Sequence, residues 1–260
     1  MTVRAVPMAV PEEVFLRDTD RKRAKKGLFG GSEERVVFAR TIFLPYLDFT
    51  YRFSAERGLM SKQTVTSEGR STVLALREAN LGFDPKLVAM APMLIDMEEN
   101  SVSIIPGVDS TVLVNERLAE LKDLLRDYEV QSEARSKQYE SLPKDSPAKE
   151  DLKEGIEFLR KTKLLRWKMF ADGLQLPPNV NLEQLEVMDG ALFYLPFFIA
   201  KLSGGGEARF LVWDHEGKED ETVADEMSKN HKFRALVEAH AISDASMHAL
   251  NLQSDIGDDQ

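Results

Sequence analysis

Four histidines, His215, His231, His240 and His248, fall in the last fifth of the chain. Imidazole set beside carboxylates is the raw material of metal sites and of general acid–base catalysis. On a continuous helix His240 and His248 stand about two turns apart, roughly 12 Å along the axis, too far to share one ion. No His-Glu-x-x-His pattern occurs. Asp214, His215 and Glu216 close a predicted strand just before Gly217, a place where an acid–base group could act. Acidic residues ahead of a glycine also build tight turns, and that is the preferred reading. Asp48, beside Tyr46 and Tyr51, is read in the same way. Gly204-Gly205-Gly206 lacks the Gly-Lys-Ser/Thr of a phosphate loop, and Gly27-x-x-Gly30-Gly31 leads into no Lys-Ser/Thr helix start, so both are read as turns. There is no Gly-x-Ser-x-Gly nucleophile elbow. The chain has no cysteine, which excludes disulfides, thiolate nucleophiles and Cys-ligated metals. The expectation is therefore a protein with no catalytic residue, no cofactor and no metal. An enzyme built on Asp214, His215 and Glu216 is the remaining catalytic alternative.

The elements that would carry any function follow from composition and pattern. With 260 residues and 43% apolar content, the chain can bury a substantial core. A formal net charge of −10 argues against whole-protein attraction to nucleic acid or acidic lipid. One local exception is the dense run Arg17, Arg21, Lys22, Arg23, Lys25 and Lys26. It reads either as a loosely held arm or short helix, or as a phosphate-contacting arm that releases counterions from nucleic acid. The amino-terminal residues hold no uninterrupted apolar run before Pro11-Glu12-Glu13, so they do not read as a secretory signal. The most apolar window, Ala191 to Leu202, spans about a dozen residues where a bilayer needs roughly 20. No membrane anchor and a cytoplasmic location are expected.

From Val36 the pattern becomes that of a strand. Leu47, Phe49, Tyr51 and Phe53 alternate with Tyr46, Asp48, Thr50 and Arg52, the period of two of a half-buried strand. Pro45 cannot donate to a ladder and is read as an edge, a bulge or a strand start. Ser71–Leu76 is a further strand, giving a long-looped hairpin. Leu192–Leu202 then repeats the apolar, Leu-Pro, aromatic layout of Ile42–Phe49, and Ala208–Trp213 follows it as the strand of a second hairpin. Between the copies, 84–100 is rich in Met and Leu, with Met90, Met93 and Met97 read as core filler on a Met-rich helix.

The stretch 110–173 predicts two antiparallel helices. Leu118, Leu121, Leu125 and Tyr128 recur at three and four residues, the first helix ends at Leu142-Pro143, and Ser146-Pro147 opens the second. Leu152, Ile156 and Leu159 give the second helix its stripe, Asp172-Gly173 its stop, and Gly155 marks a close approach. Toward the tip the first helix loses large apolar residues, so this end is expected to be weakly packed and exposed. Val223–Leu252 reads as a C-terminal helix with Phe233, Leu236, Val237, His240 and Ala241 on its packed face.

The motif residues Leu44-Pro45-Tyr46 and Leu195-Pro196-Phe197, with Trp213-Asp214 and Gly217 closing the second copy, resemble small α+β domains appended to prokaryotic ATPase and zinc-ribbon proteins. That resemblance implies a binding or accessory role. The expected fold is α+β: two similar β-hairpin segments forming an antiparallel sheet, separated by a long antiparallel coiled-coil hairpin, with a C-terminal helix. Its expected parts are a charged arm (1–35), a first hairpin segment (36–109), the helical hairpin (110–173), a second hairpin segment with the C-terminal helix (174–252) and an acidic tail (253–260). The leading expectation is a non-catalytic accessory or scaffold protein that binds a protein partner, or a second copy, through the hairpin tip: Arg135, Gln138, Tyr139, Lys144 and Lys149. The alternative is a nucleic-acid-binding accessory factor using the basic arm, helped by Lys161, Lys163, Arg166 and Lys168.

Overall fold

The computed structural model describes residues 2–24, 33–57, 63–79, 82–98, 103–108, 111–143, 145–177, 180–204 and 208–254. In chain order these form β1 (Thr2–Ala5), α1 (Glu12–Lys22), β2 (Arg35–Arg57), β3 (Gln63–Leu74), a 3-10 helix (Pro85–Met93), β4 (Ile95–Glu98), α2 (Val112–Ser141), α3 (Ala148–Gly173), β5 (Val180–Ser203), β6 (Arg209–Trp213), α4 (Glu221–Lys229) and α5 (His231–Ser254). The fold is mixed α+β, with a six-stranded sheet in the order β3-β2-β5-β1-β4 and β6 also on β5.

The expected all-antiparallel sheet is corrected to a mixed one. Residues read as part of a charged arm form β1, which pairs in parallel with β5 at Ala5 and Tyr194. With only four residues, β1 is too short to declare a period, yet its Val3 and Ala5 are buried. The two long strands β2 and β5 form the centre, with Leu44 directly opposite Leu195, so the two Leu-Pro-aromatic motifs meet face to face. Pro45 is not on an edge strand or at a strand start; it sits inside β2, opposite Tyr194 of β5 and just past the end of the β2–β3 ladder at Tyr46 and Leu74.

The ladder accommodates both prolines by a common device. Phe43 N donates to Ser103 O at 2.8 Å and Pro45 O accepts from Ala75 N at 2.8 Å, so the Pro45 ring nitrogen faces that same edge of β2. There β3 has ended at Leu74, and the Ala75 carbonyl is taken by Val108 N at 2.9 Å, leaving no acceptor to waste. Tyr194 O accepts from Val6 N at 2.9 Å, and pairing with β6 begins at Phe198 opposite Trp213. Pro196 therefore points its nitrogen into the gap between β1 and β6.

The alternation read along β2 decides what covers each face. Phe38, Ile42, Leu44 and Tyr46 join Phe193, Leu195 and Phe197 beneath α4 and α5, whose Val223, Met227, Phe233, Val237 and Ala241 are buried against them. Further along, the same face turns polar and exposed: Arg70 pairs with Asp48, and Arg52 with Glu68 at 2.9 Å. The opposite face of that stretch, Leu47, Phe49, Tyr51 and Phe53, packs under α2 and α3.

Two other expectations change. The Met-rich helix is a 3-10 helix followed by β4, because Pro85 and Pro92 break the segment and Met97 lies on the strand. Met90 and Met97 pack against core clusters while Met93 is exposed. The single C-terminal helix is two, divided at Asn230, whose side chain accepts from Lys232 N and Phe233 N and so caps α5. Of the expected acidic tail, 253–260, the first two residues instead continue α5 to Ser254, and the rest lies outside the described residues.

Gly69 stands opposite Tyr51 on the β2–β3 ladder, and a Cβ there would enter the Tyr51 ring. Gly69→Ala is expected to destabilise the fold by about 1–3 kcal/mol, the usual cost of overpacking, read as a lower urea midpoint with an unchanged slope.

Candidate docking site on the helical pair

The helices α2 and α3 are fixed to the sheet at one end by polar contacts as well as by packing. The last carbonyls of a helix lack intrahelical partners and must find others. Gly173 O accepts from Ser71 Oγ at 2.8 Å, and Leu174 O accepts from the Tyr51 hydroxyl. Burial pushes the Tyr51 pKa up to about 12, so the phenol keeps its proton and remains a donor. Gly173 ends α3 as expected, but for a different reason: its φ is not left-handed, and a Cβ would meet Phe83 O at 2.8 Å. The left-handed residue is Gln175, at φ 49°. On α2, Arg117 reaches back to the carbonyls of Leu76 and Ala79, both at 2.9 Å. Desolvation lowers the Arg117 pKa from its ordinary value while Glu120 and Glu226 oppose that effect, and a guanidinium so far above neutrality stays charged. Around these anchors Leu113, Val114, Leu118, Phe170, Ala171 and Leu174 are buried with the sheet.

Away from this root the pair leaves the core. Among the described residues, none between 122 and 166 belongs to a core cluster. Here the helices hold one another: Leu125, Ile156 and Leu159 are buried, and Lys163 pairs with Glu129 at 3.1 Å. The residues expected to bind a partner at the tip are partly used within the pair. A Cβ at Gly155 would meet the Arg135 guanidinium, so Arg135 lies across α3 where the glycine admits it. Lys149 stands over the Tyr139 ring at 4.8 Å. Gln138 is exposed, and Lys144 lies outside the described residues. Ser146 does not cap α3, which starts at Ala148 after Pro147 with no side-chain cap.

What the sequence reading missed is on the outer face of α3. Phe158 is 68% exposed, Leu165 59% and Met169 61%, with Leu164 beside them at 66%. At 100° per residue the first three fall within about 40° of one another, an apolar stripe turned away from the buried face. The signal was present in the spacing of seven and four residues. It was hidden because Leu152, Ile156 and Leu159 already supply a stripe for the intramolecular contact. At its rooted end Met169 shares with Leu121, Leu124 and Phe170 the wall of a cleft of about 1050 Å³.

The other sequence candidates lie elsewhere. The basic run forms α1, packed by Phe15 against Phe198, with ring centroids 5.0 Å apart, and by the buried Thr19. Its cations meet carboxylates of the same chain: Arg21 with Asp18 at 3.4 Å, Lys22 with Glu219, and Arg23 with Asp20 at 2.7 Å. Arg17 is exposed, and Lys25 and Lys26 lie outside the described residues. Lys161 pairs with Glu157 at 3.8 Å, while Arg166 lines the cleft. Asp214 Oδ1 accepts from Glu216 N and Lys218 N, both at 2.9 Å, and Gly217 takes a φ of 85°, which is the geometry of a turn. His215 is buried behind it, 6% exposed. His231 and His240 lie on α5, where His240 Nδ1 is 2.9 Å from Leu236 O. Among the described residues there is no group of three or more metal-ligating side chains, and no helix is long and apolar enough to cross a membrane.

No family model, no curated protein and no solved structure matches this chain.

The end of α1 is closed by a clasp that responds to acid. Arg209 binds Glu34 through two nitrogens at 2.7 and 2.8 Å and also donates to Lys22 O at 2.6 Å; Ala24 N donates to Glu34 at 2.8 Å. These hydrogen bonds, that of Arg209 foremost, hold the Glu34 pKa at about 2 instead of 4.5. A depressed carboxylate stabilises the fold above its unfolded pKa and loses that effect as pH falls through the folded one. Wild type is therefore expected to exceed Glu34→Gln in stability above about pH 4.5, by on the order of 1 kcal/mol, with the difference vanishing near pH 2 in denaturation measured across that window.

Proposed function

We propose that this chain is a non-catalytic accessory or scaffold protein. Its two like strand–turn–strand segments form a base, and its coiled-coil-like helical hairpin is held out from that base to dock a protein partner. The observation that carries this reading is the apolar stripe of α3, with Phe158, Leu165 and Met169 each about three-fifths exposed or more. Scattered exposed apolar side chains are ordinary, but a contiguous stripe on a helix outside the core is the mark of an interaction surface. The rooting of both helices supports the same reading, because a face held by Arg117, Tyr51 and Ser71 is presented in one orientation. Preorganisation of this kind reduces the entropy lost on binding. The pairing of Arg21, Lys22 and Arg23 with nearby carboxylates favours protein docking over phosphate contact as the chain's main interaction. The turn geometry around Asp214 favours a binding role over catalysis.

The test is affinity capture from native cell extract, with and without nuclease, followed by mass spectrometry. The intact chain is compared with a deletion of 128–160 and with the full-length double variant Phe158→Glu, Leu165→Glu. A nuclease-resistant protein held by the intact chain and lost from both variants is the expected outcome. Retention by the deletion variant, with circular dichroism showing that it folds, would sink the proposal.

A further inference from the structure

We infer that the occupant of the α3 stripe is a second copy of this chain, bound through an antiparallel α3–α3 contact about a twofold axis; this deepens the docking reading and rests on it. The stripe by itself names no partner, but the charges beside it do. Between Ala148 and Glu157 the helix carries the carboxylates Glu150, Asp151, Glu154 and Glu157 against Lys149 and Lys153. From Phe158 to Lys168 it carries Arg160, Lys161, Lys163, Arg166 and Lys168 and no carboxylate at all. A helix acidic in one half and basic in the other is complementary to itself when turned end for end.

An axis between Lys161 and Thr162 sets Phe158 against the partner's Leu165 and Leu165 against the partner's Phe158, so the apolar residues near the axis cover one another. The same register sets Glu154 within one residue of the position opposite the partner's Lys168, and at 100° per residue both lie on the same flank of the stripe, the flank that an antiparallel twofold sets against itself. Twofold symmetry makes this pair twice. Lys161, nearest the axis, is already paired with Glu157 at 3.8 Å, which limits its repulsion from the partner's Lys161. A parallel arrangement would put acid on acid and base on base. Glu154 cannot reach Lys168 of its own helix in this way, since the two are separated by more than two turns along one axis.

That separation provides a test in which a fold defect and an interface defect cannot be confused. Sedimentation velocity of the full chain over a concentration series is expected to show a dimer. Leu165→Glu is expected to weaken dimerisation about a hundred-fold or more, with the far-ultraviolet circular dichroism unchanged. Glu154→Lys alone and Lys168→Glu alone are each expected to weaken it about ten-fold, and the double swap to recover most of the loss, because the swapped charges meet only across the twofold. A chain that is monomeric throughout the series overturns the inference. So does a dimer indifferent to Leu165→Glu, or one in which the double swap adds the two losses. A monomeric chain whose hairpin still captures another protein overturns the second copy while leaving the docking reading in place.

Discussion

The pairing of β2 with β5 is the constraint on which the other elements depend. These strands form the middle of the sheet, and each must pass through a proline to do so. A proline inside a central strand costs a ladder hydrogen bond unless its nitrogen faces a place where no acceptor waits. Both Pro45 and Pro196 meet that condition, each lying where one neighbouring strand has ended and another segment takes over. The Leu-Pro motif is thus less a recognition signature than a seam. It sets where β3 stops, where β6 begins, and where β1 and the 103–105 segment can enter.

From that seam the two faces of the sheet divide the labour. One face takes α4 and α5 against Ile42, Leu44, Leu195 and Phe197. The other takes the rooted ends of α2 and α3 against Leu47, Phe49 and Tyr51. The helical pair is held there by groups that each satisfy another group's need. Tyr51 and Ser71 supply donors to the orphan carbonyls at the end of α3, and Arg117 supplies donors to carbonyls beyond the end of β3. Hydrophobic burial alone would leave the helices free to slide; directional donors fix their position.

Much of this was legible in the residues, and what was not has particular causes. Alternation through Leu47–Phe53 and three–four spacing through Leu118–Leu125 located β2 and α2, since each buries one face and exposes the other. Val3 and Ala5 of β1 were too few to show a period. The outer half of β3, Thr64 to Arg70, is polar apart from Val65 and Gly69 and none of it is buried, so it reads as a loop. Asn230 reads through as helix in the sequence, although a lone asparagine inside a periodic run is a capping signal when its side-chain oxygen takes the amides two and three residues on. For the candidate site, helical pairing and the meaning of Gly155 were readable. The exposed stripe was not, because a helix with two apolar faces looks in sequence like one with a single broad face.

The distance along the chain between the two halves of the seam has a consequence for how the molecule is made. During synthesis Leu44 leaves the ribosome long before Leu195, and until then the inner edge of β2 is an open template for pairing. The ladder is a non-local contact, the kind that slows folding, whereas α2 and α3 close through a short connection and can form at once. Once they do, the start of α2 and the end of α3 are brought together, and the length of loose chain that β5 must search is cut to the segments outside the helices. The hairpin proposed to dock a partner thus first shortens the search that completes the sheet carrying it.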